Sequence, residues 1–245
     1  MSEQTDTVRL VALAAREIRD HEVCFVGIGV PSLAAMAAKR THAPNAVLIY
    51  ESGAIDADPP KPPLSTGSPA VVANTAMIGS CLSVFALLQQ GRIDRGLLSA
   101  AQVDREGNLN STALHRSGRP DLRLVGSGGA HDIALLAREV LIIMPQDKRR
   151  FVERVDYVTS PGTRAPRLSG RQGPTALITS HARFSFDRGE LTLDAVADGV
   201  SSAEARACLT WRPPEAAPLR TLAPIDRELA AVAETLIHAW GRDIG

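Results

Sequence analysis

Three short, unbroken apolar runs constrain this chain more than any other feature: VCFVGI at 23–28, VLIY at 47–50 and VLIIM at 140–144. A strand with one wet face alternates apolar and polar residues. A strand without that alternation needs cover on both faces, which is the situation of parallel strands between two helical layers. The segments between the runs supply the helices. At 31–40, PSLAAMAAKR puts Pro31 at the first helical position, where its missing N–H is harmless, and Lys39 and Arg40 at the far end, where they complement the helix dipole. Ahead of the first run, Val8, Val11, Ala14, Ala15 and Ile18 recur every three or four residues and predict an amphipathic helix over 7–18. Further helices are predicted at 81–90, closed by Gly91, and after Gly129, with a strand at 96–100. The alternation implies an α/β fold built on an open, mostly parallel sheet flanked by helices.

After Tyr157 the texture changes. SPGTRAPRLSGRQGP reads as loop, and ALITSHARFSFDRGELTLDAV as two or three alternating segments joined by a turn at Asp187-Arg188-Gly189. This predicts antiparallel strands added near the C-terminus. A last helix over 225–240 follows Pro224 and puts Ile225, Leu229, Val232, Leu236 and Trp240 on one face. With no internal repeat and no low-complexity tract, residues 1–245 read as a single domain. The stretch DPPKPPLSTGSP at 58–69, with five prolines, is extended and stiff.

Charge narrows the function classes. Lys plus Arg (27) equals Asp plus Glu (27), so no global field draws the chain to nucleic acid or an anionic membrane. No apolar run approaches the ~18 residues of a membrane span, and the start MSEQTDTVRL is polar, so a soluble, cytoplasmic protein is expected. Cys24, Cys81 and Cys208 lie far apart without ligand spacing and read as three small buried hydrophobes. The histidines at 21, 42, 115, 131, 181 and 238 are scattered, so no metal site is signalled.

Candidate chemistry gathers at strand ends. Gly27-Ile28-Gly29 ends the first strand and opens a helix, where free amides favour an anion. A dinucleotide fingerprint needs a third glycine where this chain has Ser32, although Glu51 stands about 20 residues on, the place of a ribose-binding acid. Glu51-Ser52-Gly53 puts a carboxylate at the carboxyl edge of the sheet; on that feature alone a cap or a salt-bridge partner is the commoner reading. Gly126-Ser127-Gly128-Gly129 is a second glycine-rich strand-to-helix turn, whose amides can converge on an oxyanion or simply make the turn. The oxygen-rich segment 104–112 lacks the spacing of a calcium loop and reads as a structural turn. Lys148-Arg149-Arg150 reads as a solvated face or a phosphate contact, and His131 and Asp132 as helix-start residues or an acid and base.

Taken in order, VGIGVP, AAKRTHAPNAVLIYESG, AAQVDREGNLNST, LVGSGGAHDIA and QDKRRFVERVDYVTSPG resemble the β subunit of family I CoA-transferases, most closely the glutaconate CoA-transferase branch. The match is dense over 20–162. The resemblance implies a covalent nucleophile at Glu51, an oxyanion and CoA-binding region at Gly128, Gly129 and Ser127 with Gly27 and Gly29 shaping it nearby, and a substrate pocket drawing on Ser52, Gly53 and Gln102. It implies coenzyme A as substrate with no tightly bound cofactor and no metal. It also implies a separate α subunit in a heterodimer or heterotetramer, with no nucleic-acid or membrane partner. The acetoacetate and oxoadipate branches usually carry Asn where Ser52 stands, which leans toward a glutaconyl-like dicarboxylic acyl group. Three alternatives stay open: a steroid ring-opening type hydrolase acting on a CoA thioester, an NAD-binding oxidoreductase subunit, and a non-catalytic subunit that completes its partner's site.

Overall fold

The computed structural model describes residues 3–168, 170–186 and 188–242. Helix α1 (Glu3–Ala15) leads to β1 (Val23–Val26), helix α2 (Val30–Lys39) and β2 (Val47–Ile49). The chain reverses through β3 (Ala54–Ile55) and β4 (Met77–Ile78), and α3 (Cys81–Gln89) returns it to β5 (Arg95–Leu98). Two small hairpins follow, β6 (Gln102–Val103) with β7 (Leu109–Asn110) and β8 (Ala113–Leu114) with β9 (Leu122–Arg123). Helix α4 (Ala130–Leu136) and β10 (Glu139–Ile143) complete the α/β alternation. β11 (Gly173–Ile178), β12 (Ala182–Ser185), β13 (Thr192–Val196), α5 (Ser202–Arg206), β14 (Glu215–Thr221) and α6 (Arg227–Arg242) close the chain.

Ten strands form one sheet in the order β14-β13-β12-β11-β10-β5-β1-β2-β3-β4. β2, β1, β5, β10 and β11 pair in parallel, as the unbroken apolar runs require. Alternate residues of each run enter different cores. Cys24 and Val26 join one cluster and Phe25 the other; Leu141 and Ile143 face one side, Val140 and Ile142 the opposite. The first cluster packs under α1, α2 and α6, the second under α3 and α4. Helix α2 lies between its neighbours and is buried from Pro31 to Ala38, so its small and, apart from Ser32, apolar composition is a packing requirement.

The antiparallel additions are broader than the sequence predicts. β12 and β13 form the expected antiparallel pair, although Asp187 of its turn lies outside the described residues. β3 and β4 extend the other edge antiparallel, and β14 joins β13 in parallel. These strands are two residues long or pair irregularly, so periodicity could not reveal them. Helix α1 starts earlier than its apolar spacing suggests and stops at Ala15, because Glu17 N–H bonds to the Ala14 carbonyl and Ile18 N–H to that of Ala15, closing a tighter last turn. Cys24 and Cys208 are buried as expected, but Cys81 is exposed: it opens α3 behind the Ser80 cap and faces away from the core.

At the amino edge of the sheet, Arg95 is 2% exposed and bridges Glu22 at 2.9 Å and Glu139 at 3.1 Å. Each strand-end carboxylate is thus offset by one central guanidinium. Removing it leaves two acids without compensation in a dry place. Arg95→Met should lower stability by about 3–5 kcal/mol, read as a fall in the denaturant midpoint at unchanged slope.

Candidate active site

The sheet order makes β1 a switch point: the chain moves from β1 to β2 on one side and later reaches β5 on the other. Ligands of open α/β sheets bind at the carboxyl ends of such strands. Glu51 stands there, one residue past the fully buried Tyr50. Gly53 N–H donates to the Tyr50 carbonyl at 3.0 Å, so residues 50–53 form a tight turn with half-buried Glu51 at its second position. Gly53 has φ +113°, and a Cβ there would lie 2.2 Å from the Gly79 carbonyl oxygen. The Gly79 N–H in turn donates to the Gly53 carbonyl at 2.8 Å. The turn is therefore clamped against the residue pair that starts α3, and only glycine permits the approach.

The carboxylate points at the second glycine-rich turn. Gly129 N–H donates to Glu51 Oε2 at 3.0 Å. That amide belongs to the N-cap residue of α4, whose dipole also favours an anion. The space is shaped by missing side chains: a Cβ on Gly128 would lie 3.5 Å from Glu51 Oε2, and one on Gly129 would lie 2.6 Å from Phe85 Cζ and 3.0 Å from Glu51 Oε2. Gly126 and Gly128 take φ of +90° and +47°, and the loop is pinned by Gly126 N–H to the Ser111 carbonyl at 2.8 Å. Ser127 contributes its carbonyl to the Ala130 N–H at 2.9 Å. Thus Glu51, Gly128 and Gly129 converge, while exposed Ser52 and buried Gly53 flank the carboxylate through the turn.

Gly27 and Gly29 stand one strand away. Gly27 N–H bonds to the Leu97 carbonyl at 3.0 Å, and a Cβ there would sit 2.7 Å from that oxygen, so its glycine identity serves the contact between β1 and β5. Gly29 caps α2 at φ +83° and lines a cavity of about 850 Å³ with Ser99, Gln146 and Lys148. Ser32 connects the two turns: its hydroxyl donates to the Gly27 carbonyl at 3.0 Å and meets the Tyr50 hydroxyl at 3.3 Å. Burial pushes the Tyr50 hydroxyl up to about 12, so it remains a neutral partner in that chain.

The remaining candidates are occupied elsewhere. Gln102 accepts from Asn110 Nδ2 at 2.8 Å and from Asp156 N–H at 3.0 Å, and donates to Asp156 Oδ2 at 3.1 Å. Asp104 accepts from the Glu106 and Asn108 amides and from Asn108 Nδ2, a structural turn in which burial raises its carboxyl above the usual range. His131 Nδ1 meets the Thr159 carbonyl at 3.1 Å. In the basic run, Arg149 pairs with Asp147 and Arg150 donates to the Ala100 carbonyl. Among the described residues, no group of three His, Cys, Asp or Glu side chains could hold a metal, and no helix is long and apolar enough to cross a membrane. Two site residues escape sequence reading: Phe85, which packs edge-on to Phe25 at 5.6 Å and bounds the Gly129 pocket, and Gly79, whose signal was its place before the Ser80 cap.

A strand-end carboxylate braced by an amide at a helix start thus stands at the switch point of a parallel sheet, the place where enzymes of the open α/β class bind their ligands. The sequence pattern of the Coenzyme A transferase family matches residues 7–191, and the chain belongs to that family. It is 38% identical to the B subunit of 3-oxoadipate CoA-transferase from Pseudomonas knackmussii, over 95% of this chain and 93% of the relative. It is 34% identical to the B subunit of glutaconate CoA-transferase from Acidaminococcus fermentans, over 71% of this chain and 69% of the relative. The crystal structure of glutaconate CoA-transferase from Acidaminococcus fermentans superimposes with a TM-score of 0.82 at 28% identity, covering 96% of this chain and 94% of that one. The decarboxylase AibA/AibB shares the fold at TM-score 0.80 and 23% identity, so the fold by itself prescribes no single chemistry. The two relatives are named for different acids, 3-oxoadipate and glutaconate.

The clamp at Gly53 is open to test. Gly53→Ala adds a collision to an unfavourable φ, whereas Gly199→Ala meets the same kind of φ, +73°, with nothing within 4 Å. Gly199→Ala should cost about 1–2 kcal/mol, and Gly53→Ala distinctly more, compared by chemical denaturation of the two variants.

Proposed function

We propose that this chain is the β subunit of a heteromeric CoA-transferase, with residues 1–245 acting as one domain, and that Glu51 carries CoA between two carboxylic acids. The observation that carries this reading is the 3.0 Å hydrogen bond from the Gly129 amide to Glu51 Oε2. A carboxylate is the nucleophile this exchange requires. Its oxygen attacks the acyl-CoA carbonyl, the C–S bond breaks, and a mixed anhydride and CoA thiolate result. The thiolate attacks the glutamyl carbonyl, releasing the donor acid and leaving Glu51 as a CoA thioester. The acceptor carboxylate then attacks that thioester and expels the thiolate. The thiolate cleaves the new anhydride at the acceptor's acyl carbon, giving the new acyl-CoA and free Glu51.

Each step exchanges one activated carbonyl for another, so acceleration depends on holding the groups and stabilising tetrahedral oxyanions. The Gly129 amide already touches the oxygen on which negative charge gathers when the glutamyl carbonyl is attacked, and the bare Cα of Gly128 leaves room beside it. Gly27 and Gly29 fit a supporting role in shaping the neighbouring turn, Ser127 one in spacing the amides, and Ser52 and Gly53 one in presenting the carboxylate. Coenzyme A enters as a substrate, and contacts to its long arm lower the barrier at the reacting carbonyl. The relatives are each named as one of the subunits of their enzyme, which supports a separate α subunit here. Dinucleotide binding is disfavoured on geometry: Glu51 turns to α4 rather than to the 27–29 turn, and Ser32 occupies the place of the third glycine.

In the assembled enzyme, Glu51→Gln should keep the subunits together and reduce CoA exchange by at least ~10³-fold, because the amide matches the shape without the nucleophilicity. Glu51→Asp should fail comparably, since a shift of about 1 Å is poorly tolerated in attack geometry. Incubating the wild type with acyl-CoA, without acceptor, should leave a CoA adduct on the peptide that contains Glu51, visible by mass spectrometry and discharged by carboxylic acid. Near-normal exchange in Glu51→Gln would overturn the proposal, and hydrolysis without an adduct would replace transfer by thioester hydrolysis.

A further inference from the structure

Both ends of the glycine-rich turn that meets Glu51 are tied to one residue, Thr159, which the reaction proposed above does not use. Thr159 follows the exposed Tyr157 and Val158 in sequence but turns inward and is 4% exposed. Its main chain is fixed: its N–H donates to the Leu109 carbonyl at 2.8 Å, and the Leu109 N–H donates to the Ser160 carbonyl at 2.8 Å. Its side chain is fixed as well. Thr159 Oγ1 accepts from the Ser111 N–H at 2.9 Å and lies 2.8 Å from Thr112 Oγ1.

These two neighbours hold the entry to the turn. The Ser111 carbonyl accepts from the Gly126 N–H at 2.8 Å, and the Thr112 carbonyl from the Leu124 N–H at 2.9 Å. The Thr159 carbonyl holds the exit: it meets His131 Nδ1 at 3.1 Å, and His131 is the second residue of α4, two places after Gly129. A carbonyl can only accept, so Nδ1 carries the proton, and in the neutral ring Nε2 keeps the lone pair. Asn110 and Gln102 stiffen the corner from the other side. Asn110 Oδ1 accepts from the Thr112 N–H at 3.0 Å, and Asn110 Nδ2 donates to Gln102 Oε1 at 2.8 Å. Between the tied ends lie Gly126 and Gly128, at φ +90° and +47°, in a backbone with few constraints of its own.

We propose that Thr159 is a positioning residue of the CoA exchange: it fixes the 126–129 turn at both ends and thereby sets where the Gly129 amide stands against Glu51 Oε2. Among the described residues its hydroxyl has Ser111 and Thr112 as its hydrogen-bond partners, so it acts on the carboxylate through the turn. The inference rests on the transferase reading, in which Glu51 is acylated and the Gly129 amide meets its oxyanion. An amide stabilises an oxyanion only where its N–H points at the developing charge, and displacement by about 1 Å costs up to ~10²-fold in rate. Loss of an interaction made in the transition state alone lowers kcat and kcat/KM together and leaves KM as it was.

Thr159→Val keeps the shape and removes the hydroxyl, whereas Thr159→Ser keeps the hydroxyl. In the assembled enzyme Thr159→Val should lower kcat about 10- to 100-fold with KM for acyl-CoA within about twofold of wild type, and Thr159→Ser should stay within about threefold in kcat. With acyl-CoA and no acceptor, Thr159→Val should load CoA onto the Glu51 peptide more slowly by the same factor and to the same final extent. His131 gives a second route to the same test. His131→Asn places an amide N–H where Nδ1 stands and should keep most of the activity, whereas His131→Leu cannot donate and should lose it several-fold. Wild-type kcat in Thr159→Val would overturn the proposal, as would equal losses in Thr159→Val and Thr159→Ser, or in the two His131 variants. A raised KM at unchanged kcat would also overturn it, because the hydroxyl would then serve substrate binding. Should Thr159→Val not assemble, the His131 pair decides. Loading of Glu51 at the wild-type rate in Thr159→Val would reject the positioning role alone. Absence of any CoA adduct on wild-type Glu51 would reject the transferase reading and this role with it.

Discussion

The contact between the Gly129 amide and the Glu51 carboxylate is the interaction on which the site's architecture depends. A carboxylate at the end of a buried strand is costly unless something offsets its lost water. A backbone N–H at a helix start does so with a donor whose position is set by the main chain alone. The approach explains a set of otherwise unrelated residues. A Cβ on Gly129 would press on Phe85 and the carboxylate, and Gly128 takes a φ of +47° that disfavours any other residue. Gly53 and Gly79 come together because the 50–53 turn must sit against the start of α3 for Glu51 to face α4 at all. In the proposed reaction the same amide meets the oxygen of each glutamyl tetrahedral intermediate, so ground-state bracing and oxyanion stabilisation use one donor.

The sheet supplies the rigidity this requires. Its central strands are covered on both faces and close at the amino edge with the buried Glu22–Arg95–Glu139 bridge. The carboxyl edge is where turns can be specialised without disturbing either core. Ser32 shows how closely the two are coupled, since one buried hydroxyl joins the β1 turn to Tyr50, the neighbour of Glu51. At the β4 edge Met77, Ile78 and Leu82 are exposed, next to the start of α3 that clamps the turn carrying Glu51. The buried ion-pair bridge and the proposed active site thus lie at opposite edges of the same sheet.

The parts legible in the sequence were those with local causes. VCFVGI, VLIY and VLIIM became parallel strands because an unbroken apolar run can be satisfied in few other ways. Pro31 and Gly91 marked helix ends for reasons internal to each helix. What could not be read has non-local causes. β3 and β4 are two residues each and exist because a clamp to Gly79 folds the chain back. Gln102 carries a polar side chain in a motif segment, but its partners Asn110 and Asp156 come from separate turns. Cys81 has the composition of a core residue and the position of a surface one, because α3 turns its first residue outward.

By itself, the sequence determined the α/β class, the strand-end placement of Glu51, the two glycine-rich turns and membership of the motif set shared with CoA-transferases. These follow from residue order, since periodicity, caps and glycine spacing act over a few neighbours. The tertiary structure decided which turn the carboxylate faces and that Phe85 and Gly79 stand beside the two turns. Those are matters of distance between residues up to 78 positions apart, and only the packing of strands and helices sets them.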